Sequence, residues 1–206
     1  MAGLNQRRIL VLAGLLWLIA CFGGSAVLLH YSLTPSDAGK AVSQWPASSA
    51  LTPFPGKTTL VVFAHPHCPC TRATLVELNI LMQNLRGKLG VYVLFIKPQG
   101  LPEGWEKTDI LASAQRIPGV ETQIDEGGIE AARFGAATSG QAMLFDQGGH
   151  LLFNGGITQG RGHIGENEGF RRIASLVQTG QADKNNSLVF GCALTAKFCP
   201  TEKRGL

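Results

Sequence analysis

Thr58-Thr59-Leu60-Val61-Val62-Phe63-Ala64 runs directly into His65-Pro66-His67-Cys68-Pro69-Cys70-Thr71-Arg72, and these residues decide the fold. The first seven are apolar or β-branched without alternation, the pattern of a strand buried on both faces. Leu75, Leu78, Met82 and Leu85 then recur at spacings of 3, 4 and 3. That spacing predicts a helix from about Thr71 to Arg86, stopped by Gly87. Val91 to Ile96 is a second apolar run, ended by Lys97-Pro98. Strand, helix and strand in this order predict a right-handed βαβ unit with parallel strands.

Working outward to the C-terminus, helices are expected over Thr108–Arg116, Ile129–Phe134 and Glu166–Thr179. Phe170, Ile173, Ala174 and Val177 mark one face of the last helix. Short strands are expected over Glu121–Ile124, Ala142–Phe145 and Leu151–Asn154. Asp146-Gln147-Gly148-Gly149 forms the turn between the last two. The tail, Gln181 to Leu206, is polar apart from Leu188–Leu194, and there is no internal repeat.

Toward the N-terminus, Ile9 to Leu29 is a run of 21 residues without charge. A helix rises roughly 1.5 Å per residue, so this run spans about 30 Å, one hydrocarbon core. Arg7 and Arg8 precede it, which places the N-terminus in the cytoplasm and the rest of the chain outside a bacterial inner membrane, in the periplasm. A cleavable signal with Ala20 or Ala26 at the cut, and lipidation at Cys21 in the lipobox-like Leu18-Ile19-Ala20-Cys21, are the alternatives. Phe22 to Leu29 stays apolar, which favours an uncleaved anchor. Ser32 to Pro55 is rich in Ser, Pro and Ala and reads as a tether. The expected organisation is therefore an anchor over 1–31, a flexible linker over 32–56, an α/β domain over 57–180 and a tail over 181–206.

Composition narrows the function. Apolar residues are 45% and charged ones 16%, which excludes a disordered chain. The net charge is +4, and away from Arg7 and Arg8 the remaining 16 Lys and Arg face 14 Asp and Glu. That leaves no basic stripe for nucleic acid. Five cysteines are too few for a disulfide scaffold, so their spacing carries the information.

Cys68 and Cys70 fall where a strand gives way to a helix. Unpaired N–H groups and the positive end of the helix dipole favour thiolate there. Pro69 suits a helix start because it has no N–H to leave unpaired. A ring closed by two thiols with one residue between them is tight, and a strained disulfide is the more oxidising one.

These motifs resemble the thioredoxin-like superfamily, in particular its membrane-tethered bacterial thiol–disulfide proteins, the small RedB-labelled group among them. That family carries Trp-Cys-x-Pro-Cys-Arg between strand and helix. Here His67, Cys68, Pro69 and Cys70 hold the Trp, Cys, Pro and Cys positions, with one residue fewer between the cysteines and Thr71 before Arg72. Phe134-Gly135-Ala136-Ala137-Thr138-Ser139-Gly140-Gln141 lies in register with the family's Tyr-Gly-Val-x-x-Thr-Pro-Thr, and Leu144-Phe145-Asp146 follows. Gly140 thus replaces a cis-proline, and its bond to Ser139 is expected to be trans. The resemblance covers about Thr58 to Thr179. It implies a thioredoxin-like three-layer fold with a central mixed sheet behind one transmembrane helix.

Three functions compete. The first is an exported thiol–disulfide oxidoreductase without cofactor, acting on protein dithiols and disulfides. Cys68 would be the exposed nucleophile and Cys70 the resolving thiol. His65, His67, Pro69, Gly140, Arg161 and His163 are its auxiliary candidates. The second is a copper-binding protein or metallochaperone, because His65, His67, Cys68 and Cys70 are the soft ligands that suit Cu(I). The third is a redox-sensing or scaffold domain without catalysis. Cys192 and Cys199 are expected to form a structural disulfide, with a second redox pair or an added metal-binding arm that swings onto Cys68 and Cys70 as the alternative. The glycine-rich Gly155 to Asn167, carrying Arg161 and His163, is expected to be a structural connection that allows close backbone approach.

Overall fold

The computed structural model describes residues 2–194. The chain divides after Thr34 into two compact units. The first is helix α1, Ala2–Leu33. Its stretch Gln6–Leu33 has a mean hydropathy of 2.2 and the length to cross a membrane, as expected of an anchor or a signal sequence.

The second unit begins at Pro35. Its elements are β1 (Thr58–Ala64), α2 (Cys70–Asn84), β2 (Leu89–Lys97), α3 (Asp109–Gln115), β3 (Val120–Glu126), α4 (Ile129–Phe134), β4 (Gln141–Phe145), β5 (Leu151–Gly156) and α5 (Glu168–Thr179). The strands form one sheet in the order β3-β2-β1-β4-β5. β1 runs parallel to β2 and β2 to β3, while β4 is antiparallel to both β1 and β5. This is the thioredoxin-like mixed sheet that the motifs implied. Each expected element is present. α5 starts two residues later than expected because the Asn167 side chain accepts from the Phe170 N–H (2.7 Å) and caps the helix there.

The sheet has an apolar layer on each face. Leu60 and Val62 of β1 pack with Leu78 and Leu81 of α2, Ile110 of α3 and Ile173 of α5. Val61 and Phe63 point the other way, toward Phe134 of α4, Met143, Phe145 and Leu51. α4 has six residues, too short to roof the second face alone. The 35–56 segment completes the roof. Trp45 meets Phe134 and Phe145 edge-on, with ring centroids 5.1 Å away in each case, and Phe54 lies 4.7 Å from Tyr92. Leu51 is 3% exposed. The expected flexible linker is therefore a packed strap, and the physical reason is the uncovered apolar sheet face beneath it.

The tail also folds back. Val189, Phe190 and Leu194 are buried, and Ser36 pairs with Val189 in an antiparallel bridge. Within the glycine-rich connection, a Cβ on Gly155 would sit 2.3 Å from the Ser187 Oγ, so the tail passes directly over this segment. Glu77 of α2 accepts from the Gly165 N–H (2.6 Å), which ties the other end of the connection down. The close approach expected of those glycines is present.

Candidate functional site

The buried strand β1 delivers its last residue, Ala64, to the turn that carries the cysteines. Cys68 N–H donates to the His65 carbonyl (3.1 Å), and Thr71 N–H donates to the Cys68 carbonyl (3.0 Å). Pro69, at φ −59° and ψ −30°, is already helical and holds the N-cap position, and Cys70 is the first residue of α2. Cys68 has no exposed surface, while Cys70 is half-buried. The expectation that Cys68 is the exposed thiol is thus corrected: the turn directs it inward, and the tail lies against it.

Three cysteines converge there. Cys68 Sγ lies 2.9 Å from Cys192 Sγ. Hydrogen bonding from Cys192, and then from Cys70, holds the Cys68 pKa far below the usual thiol range, although burial opposes this. Cys70 moves the other way. Its bond to Cys68 raises its pKa, burial and the Cys68 charge add to this, and the Arg161 guanidinium draws it part of the way back. The two shifts run in opposite directions, favouring the thiolate at Cys68 and the protonated thiol at Cys70. Cys199 lies outside the described residues, and so does its expected bond to Cys192.

The loop between α4 and β4 forms the facing wall. Ser139 Oγ accepts from the His65 N–H (2.9 Å) and shares a hydrogen bond with Thr71 Oγ1 (2.9 Å). Gly140 N–H donates to the Phe63 carbonyl (2.7 Å), a bond that proline could not make. Gly140 has φ +90°, in the region glycine favours, and its bond to Ser139 is trans. The register assigned to Phe134 through Asp146 thus brings Gly140 beside the cysteine turn.

The histidines differ from one another. His65 is buried, its Nδ1 accepts from the His67 N–H (3.1 Å), and burial lowers its pKa. It is uncharged at neutral pH, so it supplies no positive charge to the thiolate. His67 is exposed, with Nε2 2.9 Å from the Trp105 carbonyl oxygen and its ring centroid 4.5 Å from that of Trp105. Among the described residues no group of three or more His, Cys, Asp or Glu is arranged to hold a metal ion. Arg161 reaches the site, donating to the Gly191 carbonyl and to Ser36 Oγ (2.8 Å). His163 is exposed in its loop, its N–H donating to the Gly160 carbonyl (3.3 Å).

Sequence reasoning missed Ser139, Thr71 and Trp105. Ser139 was available from the register, as the residue before Gly140. Trp105 follows a Pro- and Gly-containing stretch after β2, and no periodicity points from there to the histidines.

No protein-family model matches the chain, and no curated protein matches it. Solved structures do. A hypothetical protein from Sinorhizobium meliloti superposes with a TM-score of 0.57 at 20% identity, covering 79% of this chain and 94% of that one. An uncharacterized conserved protein from Geobacillus kaustophilus gives 0.57 at 15% identity, covering 82% and 94%. The exposed lipoprotein thioredoxin of Streptococcus pneumoniae gives 0.44 at 14% identity, covering 60% and 84%. At the identities of the first two the likeness is one of fold.

Proposed function

We propose that the chain is a membrane-anchored, extracytoplasmic thiol–disulfide oxidoreductase in which Cys68 is the attacking thiolate. The observation that carries this reading is the placement of Cys68 between two other cysteine sulfurs, ahead of the first turn of α2. Thiolate is the nucleophile in disulfide exchange, and donated hydrogen bonds favour the thiolate form of Cys68. Substrates are protein disulfides or dithiols on the far side of the membrane from Arg7 and Arg8.

In exchange, the Cys68 thiolate attacks one sulfur of a substrate disulfide. The other substrate sulfur leaves as thiolate and takes a proton from solvent, and a mixed disulfide remains on Cys68. Attack by a second cysteine of the protein on the Cys68 sulfur then releases the remaining substrate thiol. Cys70, holding its proton, donates to Cys68 before the attack. His65 shapes the turn through its carbonyl and ring nitrogen and carries no charge into the reaction.

The test is single-turnover reduction of a peptide disulfide by the reduced full chain in detergent. Cys68→Ser should abolish it. A Cys68→Ser protein that turns over at the unsubstituted rate overturns the reading.

A further inference from the structure

The tail is paired with the loop that faces Cys68. Ser139 N–H donates to the Cys192 carbonyl (2.8 Å), and Leu194 N–H donates to the Ala137 carbonyl (2.9 Å). Thr138 and Ala193 form the antiparallel bridge between them. The backbone of 192–194 is therefore paired as an added strand segment along 137–139, and this pairing sets Cys192 Sγ against Cys68 Sγ at 2.9 Å. Gly191 makes the approach possible, because a Cβ there would fall 1.9 Å from the Ser139 carbonyl oxygen. Ser36 fastens the same stretch from the strap, its N–H donating to the Val189 carbonyl (2.8 Å) and its Oγ to the Gly191 carbonyl (2.8 Å). Arg161 donates to that carbonyl too.

We propose that residues 188–194 are a built-in occupant of the peptide-pairing edge beside Cys68, and that Cys192, rather than Cys70, is the cysteine that closes a disulfide with Cys68. The proposal deepens the functional reading above and rests on it for the external substrate, an extended peptide segment bearing a disulfide. Such a segment pairs with Ala137 and Ser139 in place of the tail, so the tail lifts off for entry and returns for resolution. With both cysteines reduced, the Cys68 thiolate attacks the substrate disulfide and expels the first substrate thiolate. Cys192 then gives its proton to water and attacks the Cys68 sulfur, and the second substrate thiolate leaves. Two electrons pass from Cys68 and Cys192 to the substrate, which ends as two thiols once protonated. Cys70 stays reduced and acts as a positioning residue, donating to Cys68.

Oxidation of the full chain by excess glutathione disulfide, followed by alkylation, tryptic digestion and fragment sequencing, tests this. Cys68 and Cys70 share the peptide 58–72, Cys192 lies in 185–197 and Cys199 in 198–203. The expected product joins 58–72 to 185–197 through Cys68. It should survive in Cys70→Ser and in Cys199→Ser. In Cys192→Ser it should be lost, and the glutathione adduct on Cys68 should persist about tenfold longer, because an intramolecular thiol no longer competes for it. A 185–197 peptide joined solely to 198–203, or a 58–72 peptide closed on itself with no link to 185–197, overturns the proposal. Single-turnover reduction of a peptide disulfide is measured on reduced, unalkylated portions of the same proteins. The cross-link without turnover upholds the internal couple and refutes the functional reading, whereas turnover without the cross-link refutes the internal couple alone.

Discussion

The strap before β1 and the tail after α5 have opposite tasks. Both are poor in regular structure, and both return to the body of the domain. The strap makes backbone bridges at Ser36 and Gln44, and its apolar side chains fill a core. Trp45, Leu51 and Phe54 join the apolar layer formed by Phe134, Phe145 and Tyr92. The tail is also anchored by apolar residues, at Val189, Phe190 and Leu194, but between them its backbone pairs with the Ala137–Ser139 edge and carries a sulfur to Cys68. One segment completes a core and the other covers a reactive group. Damage to the strap should therefore appear as lost stability, and damage to the tail or its seat as altered Cys68 chemistry.

The substitution expected to cost most tests the seat. Gly140→Pro removes the N–H that donates to Phe63 and demands a φ near −65° where the backbone holds +90°. A loss of about 3 kcal/mol or more in urea unfolding is expected, together with faster alkylation of Cys68 in the fraction that remains folded. Unchanged stability would mean that proline finds a second conformation here and that the glycine is not required by this loop.

Trp45→Ala comes next. Its ring packs edge-on against two phenylalanines and is half-buried, so a loss of about 2–4 kcal/mol is expected, toward the lower part of the range for large aromatic truncations. The alkylation rate of Cys68 per folded molecule should stay that of the parent protein. If it rises instead, the strap reaches the sulfur site and the division of labour between the two segments fails.

Much of this molecule was legible in its sequence, and the illegible parts share a cause. The βαβ unit could be read because apolar residues repeat with the period of the element that buries them, as Leu75, Leu78 and Met82 do. The cysteine turn could be read because thiols at a strand-to-helix junction have few other uses, and Gly140 could be placed by register. The strap could not. Trp45, Leu51 and Phe54 have no common period, because they descend onto a sheet face at intervals set by that face. The tail posed the same difficulty in another form. Seven positions separate Cys192 from Cys199, and chain proximity favours a local pairing, whereas the contact with Cys68 is made across 124 positions of sequence by pairing with a loop. Irregular segments take their geometry from what they cover, so their own residues hold little of it. The burial of Cys68 was missed for the same reason, since its cover comes from the far end of the chain.

The smallest expected effect is the most specific to the tail. The leading cause of the lowered Cys68 pKa is the hydrogen bond from Cys192. In the parent protein, the iodoacetamide rate at Cys68 should therefore change little between about pH 6 and pH 8, whereas an ordinary thiol with pKa ~8.5 gains nearly tenfold per pH unit there. Cys192→Ser changes access as well as ionisation, so the slope with pH is the informative quantity, and it should steepen toward that of an ordinary thiol. Stability of the reduced protein should follow the same logic. A thiol with a lowered folded-state pKa contributes fully above its unfolded value of ~8.5, and the contribution is lost as pH falls toward the folded value. Cys70, with its pKa raised, favours the folded state below ~8.5 and costs stability above it, where the unfolded chain releases that proton more readily. Reduced-state stability should thus climb with pH toward about 8 and decline beyond it. In Cys192→Ser the climb should shrink, while the decline set by Cys70 remains as long as Cys68 is charged. A variant that keeps both the flat alkylation profile and the full climb would assign the Cys68 thiolate to Cys70 and the start of α2, and leave the tail as cover alone.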